Sequence, residues 1–277
     1  MIYLILAIAS SSAISLMLRF SKGKTSGEIS VLVINYLVCV AVAVSEVNGN
    51  VFPASDTLKP ALLMGVICGI LYLVSFLLYQ FNIQRNGVVL SSVFMRLGLL
   101  VPMVVSVFLF NEIPTPLQMA GAAVAIAAIV MINTGGERSS SGLKLSLPLL
   151  LIAGGSGDTM SKVFERYGDP ALSGQFLCYT FSVSLIFCAL LMLYKKERIG
   201  AGDLLFGALV GVPNYYSAKF LLKALSYMPA VIAYPTNSVA TIAVVSLGGV
   251  LLFKERLDKR QWCAVAAIVA ALMLLNI

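Results

Sequence analysis

Apolar runs of about 17–25 residues alternate with short polar dividers along almost the whole chain, and this alternation predicts its elements. The runs lie at 2–20, 30–46, 58–81, 87–110, 115–133, 143–165, 170–194, 202–225, 229–253 and 259–276. The dividers include 21–27, 48–59, 82–86, 111–116, 135–144, 167–170, 195–202 and 254–259. A helix needs about 20 apolar residues to cross a bilayer. The pattern therefore predicts an all-α membrane protein of ten transmembrane helices. The first run begins at Ile2 with no basic segment before it and no small-residue cleavage site after it, so it reads as a retained helix rather than a signal peptide.

The same pattern occurs twice. Phe110 and Glu112 open a segment that runs through Gln118, Ala127 and Ala128 to Asn133; Phe253 and Glu255 open another that runs through Gln261, Ala270 and Ala271 to Asn276. Each match falls at the same offset without a gap. At that offset Tyr72 also meets Tyr215, and the pair Gly65 and Gly69 has a counterpart, Gly207 and Gly211, one residue out of register. This predicts two five-helix repeats, 1–138 and 139–277. An odd number of crossings per copy makes the second copy enter from the opposite face, which gives inverted repeats around a central cavity near the midplane. The paired glycines suit close helix packing in lipid, although glycine is also common in membrane helices in general.

Composition narrows the class. Of 277 residues, 60% are hydrophobic and 31 are charged, 19 basic and 12 acidic, with a mean hydropathy of +0.97. Soluble domains carry roughly a quarter charged residues, so this chain lacks the charge to coat a water-soluble globule. The absence of histidine removes the usual general base and the commonest metal ligand, which weighs against metal hydrolases and Ser-His-Asp enzymes. Cys39, Cys68, Cys178, Cys188 and Cys263 all sit in apolar runs without a CxxC spacing, and read as small packing residues. No enzyme activity, cofactor, metal or nucleic-acid partner is expected. The expected partners are a small-molecule substrate and the lipid bilayer, with monomer and homodimer both open.

The net charge of +7 is distributed unevenly over the connections. One set of alternate connections holds Arg19, Lys22, Lys24, Arg85, Arg138, Lys144, Lys195, Lys196, Arg198, Lys254, Arg256, Lys259 and Arg260, whereas the other holds Lys59 and Arg166. The positive-inside rule makes the rich face cytoplasmic. Both termini are then extracytoplasmic, in a multi-pass protein of the bacterial inner membrane.

The five-plus-five arrangement, with a glutamate closing the fourth and ninth runs, resembles the drug/metabolite transporter superfamily, EamA-type. The segment 16–25, which leaves the first helix through Arg19, Ser21, Lys22 and Lys24, also resembles the small multidrug resistance branch. The resemblance covers essentially the whole chain. It implies a basket of ten helices with a cavity lined mainly by the first, third, fourth, sixth, eighth and ninth, and alternating access to metabolites such as amino acids, nucleotide sugars or drugs. It also implies cytoplasmic termini, against which the charge bias argues. The membrane-embedded glutamate of small multidrug relatives is absent, since Ser10, Ser11 and Ser12 occupy that stretch.

Ionisable groups inside crossings are costly and normally face a cavity or a partner. Four stand inside these runs: Arg96, Asp158, Lys162 and Lys219. Asp158 and Lys162, four residues apart, share a helix face and can neutralise each other. Arg96 and Lys219 then remain as uncompensated positive charge, which an anionic or zwitterionic substrate would balance; the planar fork of Arg96 suits a carboxylate or phosphate. A lysine stem can alternatively snorkel to the interface. Asn35, Tyr72, Tyr179, Asn214, Tyr215 and Asn237 complete the candidate substrate-binding set, with Tyr36, Gln175, Tyr216 and Tyr234 beside them. Pro213 and Pro235 remove helix hydrogen bonds and predict kinks or local breaks near Asn214 and Asn237.

Gly155, Gly157 and Asp158 also spell the GxGD string of intramembrane aspartyl proteases, whose chemistry needs two carboxylates sharing a proton. No second carboxylate lies within a run: Asp56, Asp169, Asp203 and Asp258 are in connections or at ends. The glycines read instead as thinning the sixth helix for close packing. The expected function is secondary transport of small, amino-acid-like anionic or zwitterionic metabolites by alternating access. A broad drug or nucleobase carrier and a lipid flippase component stand as alternatives.

Overall fold

The structure, a computed structural model, describes residues 1–21, 23–86, 91, 94–95, 97–133, 145–253 and 259–275. Among these residues there is no β-strand, and the α-helices are α1 (Ile2–Ser21), α2 (Glu28–Glu46), α3 (Leu58–Asn86), α4 (Leu100–Phe110), α5 (Pro116–Asn133), α6 (Ser146–Tyr167), α7 (Ser173–Lys195), α8 (Ala201–Leu225), α9 (Ala230–Phe253) and α10 (Lys259–Leu275). A 3₁₀ turn, Pro170–Leu172, precedes α7.

Two expected boundaries are corrected. The third helix runs through the expected divider at 82–86, because Asn82 is absorbed rather than exposed: its amide donates to the carbonyls of Leu78 and Ser146, and Ser146 Oγ donates to its Oδ1 at 2.9 Å. The fourth element is not continuous, since Gly98 and Leu99 form a turn before α4 begins. There Gly98 lies against the backbone of Gly154 and Gly155.

Among the described residues, four helices are long and apolar enough to cross a membrane: Ile29–Glu46, Leu58–Tyr79, Pro170–Lys195 and Ala230–Leu252. Ile2–Leu18, Leu100–Phe110 and Pro116–Ala127 are apolar but shorter. α6 carries Asp158, Lys162, Glu165 and Arg166 within its length, and α8 carries Asp203, Lys219 and Lys223. Helix ends follow local chemistry. α2, α4 and α7 stop at left-handed residues, Asn48, Asn111 and Lys196. Carboxylates meet several helix starts, where unpaired N–H groups and the positive dipole end favour them. Glu197 accepts from Ser30 N in α2, Asp203 from Gly200 N ahead of α8 and from Ser26 N, and Glu112 from Ala230 N of α9 at 2.6 Å.

The chain forms two compact units, each drawing on both sequence halves. The first contains Met1–Leu73 and Met160–Ser226: α1, α2, most of α3, the end of α6, α7 and α8. Its core gathers Cys39, Cys68, Phe164, Phe176, Phe181 and Tyr215, with Phe164 stacked on Phe176 at 4.2 Å. In this unit the glycine pairs act as equivalent seams. A Cβ on Gly65 or Gly69 would stand 2.8 Å from Tyr179 Cβ or 2.6 Å from the Thr180 carbonyl, so α3 lies backbone to backbone on α7. A Cβ on Gly207 or Gly211 would stand 2.6 Å from Ile34 Cβ or Val38 Cβ, so α8 lies likewise on α2. The second unit contains Val74–Thr159 and Tyr227–Ile277, in which α5 packs on α10 and α9 packs on α4, α5 and α10. Of the cysteines, Cys39, Cys68, Cys178 and Cys188 are buried and Cys263 is exposed.

Candidate functional site

In the first unit, α2 and α8 share a polar seam. Small residues bring the two backbones together, and Asn214 Nδ2 donates to Asn35 Oδ1 at 3.2 Å. One turn away, Cys39 Sγ donates to the Gly211 carbonyl at 3.2 Å. Tyr215, fully buried beside this pair, has a hydroxyl with no hydrogen-bond partner among the described residues. Its ring belongs to a run of aromatic contacts from Tyr36 through Phe181, Tyr215 and Tyr216 to Phe220, with centroids 5.5–6.2 Å apart. Tyr72 packs half-buried against the same core. Ser11 and Ser217 join α1 to α8 through their hydroxyls at 2.6 Å.

The seam ends in an ion pair. Lys219 Nζ lies 2.6 Å from Glu46 Oε2, and Tyr216 donates to Glu46 Oε1 at 3.2 Å. About a third of each charged side chain is exposed, 33% for Lys219 and 30% for Glu46. This corrects the expectation that Lys219 is an uncompensated cation. Glu46 closes its apolar run and reads as a helix terminus in the sequence; its partner is 173 positions away.

Lys162 is also partnered differently from the expectation. Its buried ammonium turns toward the helix C-terminus to meet Glu165 at 2.8 Å, rather than back toward Asp158. Both choices satisfy helical spacing, so the sequence alone left two partners possible. Tyr179 and Gln175 bind backbone. Tyr179 donates to the Val51 carbonyl at 2.5 Å and Gln175 to the Asn50 carbonyl at 3.1 Å, while Phe52 stacks on the Tyr179 ring at 5.8 Å. Together they hold the connection between α2 and α3 onto α7.

In the second unit, Asp158 is half-buried on α6. Tyr234 of α9 donates to its main-chain carbonyl at 2.5 Å. The α6 glycines pack closely here, as expected: a Cβ on Gly155 would stand 2.6 Å from Val101 Cβ, and one on Gly154 would stand 3.0 Å from Met95 Sδ. Asn237 Oδ1, one turn beyond Tyr234, is buried with no hydrogen-bond partner among the described residues. Helix continues through both Pro213 and Pro235, so the expected breaks are not formed. Arg96 lies outside the described residues. The remaining candidates thus divide between the units: Asn35, Tyr72, Lys162, Tyr179, Asn214, Tyr215 and Lys219 in the first, Asp158 and Asn237 in the second. Among the described residues, no group of histidine, cysteine and carboxylate side chains could hold a metal ion.

Comparison with known proteins accounts for the repeat. The model of the EamA-like transporter family matches residues 1–134 and again 144–277. An uncharacterized protein of Haemophilus influenzae is 21% identical over 296 residues, covering 98% of this chain and 96% of that protein. A protein of known crystal structure shares the fold, with a TM-score of 0.76 at 16% identity over 99% of this chain and 94% of the other. A double match spanning nearly every residue makes this chain a member of the EamA-like transporter family, within the drug/metabolite superfamily of multi-pass membrane transporters.

Proposed function

We propose that the protein carries a small zwitterionic metabolite, amino-acid-like in its charges, across the bacterial inner membrane by alternating access between inverted five-helix halves. All ten helices cross the bilayer in this reading, and both termini are extracytoplasmic. The observation that carries the substrate class is the Glu46–Lys219 pair with the Tyr216 hydroxyl on its carboxylate. A partly exposed ion pair of this kind is a template for a zwitterion: a substrate carboxylate replaces Glu46 at the ammonium, and a substrate ammonium replaces Lys219 at the carboxylate. Asn35, Asn214 and the unpartnered hydroxyl of Tyr215 supply uncharged polar groups along the same seam. Tyr72 completes the lining. Arg96 is a second candidate for the substrate anion.

Counterflow of a radiolabelled neutral α-amino acid into proteoliposomes tests this reading. Loss of one charge-assisted contact, worth about 1.5–3 kcal/mol, corresponds to a roughly 10- to 150-fold loss of apparent affinity. Lys219→Met and Glu46→Gln are each expected to show it. Amines without a carboxylate, and acids without an ammonium, should compete poorly. Transport of neutral aromatic compounds, undiminished in both variants, would favour the broad drug or nucleobase carrier, for which the aromatic run beside the pair is the supporting feature.

A further inference from the structure

At one end of the first unit, the connection between α1 and α2 is bound to the connection between α7 and α8. Ser26 N donates to Asp203 Oδ1 and Gly200 N to Asp203 Oδ2, each at 2.8 Å, and Ser30 N donates to Glu197 Oε2 at 3.2 Å. Gly202 lies directly on the Lys24 carbonyl, where any Cβ would overlap it. Lys24 Nζ reaches over the Phe206 ring of α8, 5.7 Å from its centroid. These contacts fix the two connections against each other, so their charges stand side by side. Segments 19–28 and 195–203 together carry six basic and three acidic side chains. Two of the acids, Glu197 and Asp203, are directed at N–H groups where α2 and α8 begin, which already favour negative charge. Lys24, Lys196 and Arg198 are exposed.

The surroundings of these cations choose among anions. Exposed apolar side chains flank them on both helices, Leu193 and Tyr194 at the end of α7 and Leu204 and Leu205 in the first turn of α8. A soluble phosphate or a nucleic acid offers nothing to cover these side chains. A phospholipid does, because its headgroup phosphate meets the cations while its acyl chains lie along the leucines, and a tyrosine at that level suits the interface. We propose that the joined connections form a binding site for the headgroup of an anionic phospholipid, with Lys24, Lys196 and Arg198 as its cations. The site goes beyond the substrate reading above: it uses other residues, and lipid binding is measurable without any transported compound.

The test is thermal unfolding of the purified full-length chain in detergent, with phosphatidylglycerol or phosphatidylcholine titrated in as mixed micelles. Phosphatidylglycerol should raise Tm saturably, as expected for a ligand that binds only the folded state, and phosphatidylcholine should not. Lys24→Gln, Lys196→Gln and Arg198→Gln should each move the midpoint to roughly fivefold higher phosphatidylglycerol. Lys59→Gln and Arg166→Gln, which remove exposed cations elsewhere in the same unit, should leave it in place. Gly202→Ala keeps every charge but forces the two connections apart, and should weaken binding at least as much as the loss of one cation; if it does not fold, the charge variants carry the test. Equal responses to the two lipids overturn the proposal, as does an equal loss in the Lys59 and Arg166 variants or an unchanged midpoint in Gly202→Ala. Inorganic phosphate that raises Tm as phosphatidylglycerol does also overturns it and assigns the cations to a soluble anion. Any of these results leaves the Glu46–Lys219 reading to its own counterflow assay.

Discussion

Gly211→Ala is the sharpest perturbation of the α2–α8 seam. The added Cβ would stand 2.6 Å from Val38 Cβ and 2.8 Å from the Asn35 carbonyl oxygen, one of them backbone and neither the far end of a flexible side chain. Ordinary carbon contact begins near 3.5 Å, so the helices must part by roughly 0.9 Å. The Asn214–Asn35 and Cys39–Gly211 bonds, each 3.2 Å, would then stretch to about 4 Å and be lost. Two interhelical bonds at about 0.6 kcal/mol each, added to about 1–3 kcal/mol of overpacking, give about 2–4 kcal/mol. The better helix propensity of alanine returns about 1 kcal/mol. The net expectation is a destabilisation of about 1–3 kcal/mol, or roughly 5- to 150-fold in the folding equilibrium. Loss of helix by circular dichroism in SDS-titrated micelles measures it. Gly69→Ala, whose Cβ would meet the Thr180 carbonyl at 2.6 Å, should show a comparable loss at the equivalent seam of α3 on α7. A neutral or stabilised Gly211→Ala protein, showing only the propensity gain, would refute backbone contact between α2 and α8.

Three further outcomes follow from single contacts. Glu112→Ala removes the acceptor for Ala230 N at the start of α9 and should cost about 1 kcal/mol in the same SDS titration, whereas Glu112→Gln keeps an acceptor oxygen and should cost less. Tyr179→Phe releases the Val51 carbonyl, so amide hydrogen exchange over 47–57 should accelerate while exchange in α7 stays slow. Lys162→Met leaves Glu165 without its ammonium, a change expected to cost about 3 kcal/mol or more because the lysine is buried; adding Glu165→Gln should restore part of it, and a double-mutant cycle reads the difference.

Ten helices, a duplication and two equivalent glycine seams are all legible from the order of residues, because apolar run length and small-residue spacing are local properties. Asn35 and Asn214 were also recognisable as polar residues inside apolar runs, and they do meet. Their partnership, however, spans 179 positions, and no local pattern encodes contacts at that distance. The same limit hid Glu46 from Lys219, and made Tyr179 look like a cavity residue although its hydroxyl holds a connection more than a hundred positions away. At short range the ambiguity is different. Lys162 had carboxylates at helical spacing on either side, and its rotamer selected Glu165. Sequence alone determined that helices form and that their pattern repeats, since those follow from burial of apolar runs, while contacts at Asn82 and Gly98 moved two of their boundaries. Which charge each charged side chain meets, and which buried oxygens remain without a donor, was decided by packing, because those depend on distances between residues that folding alone brings together.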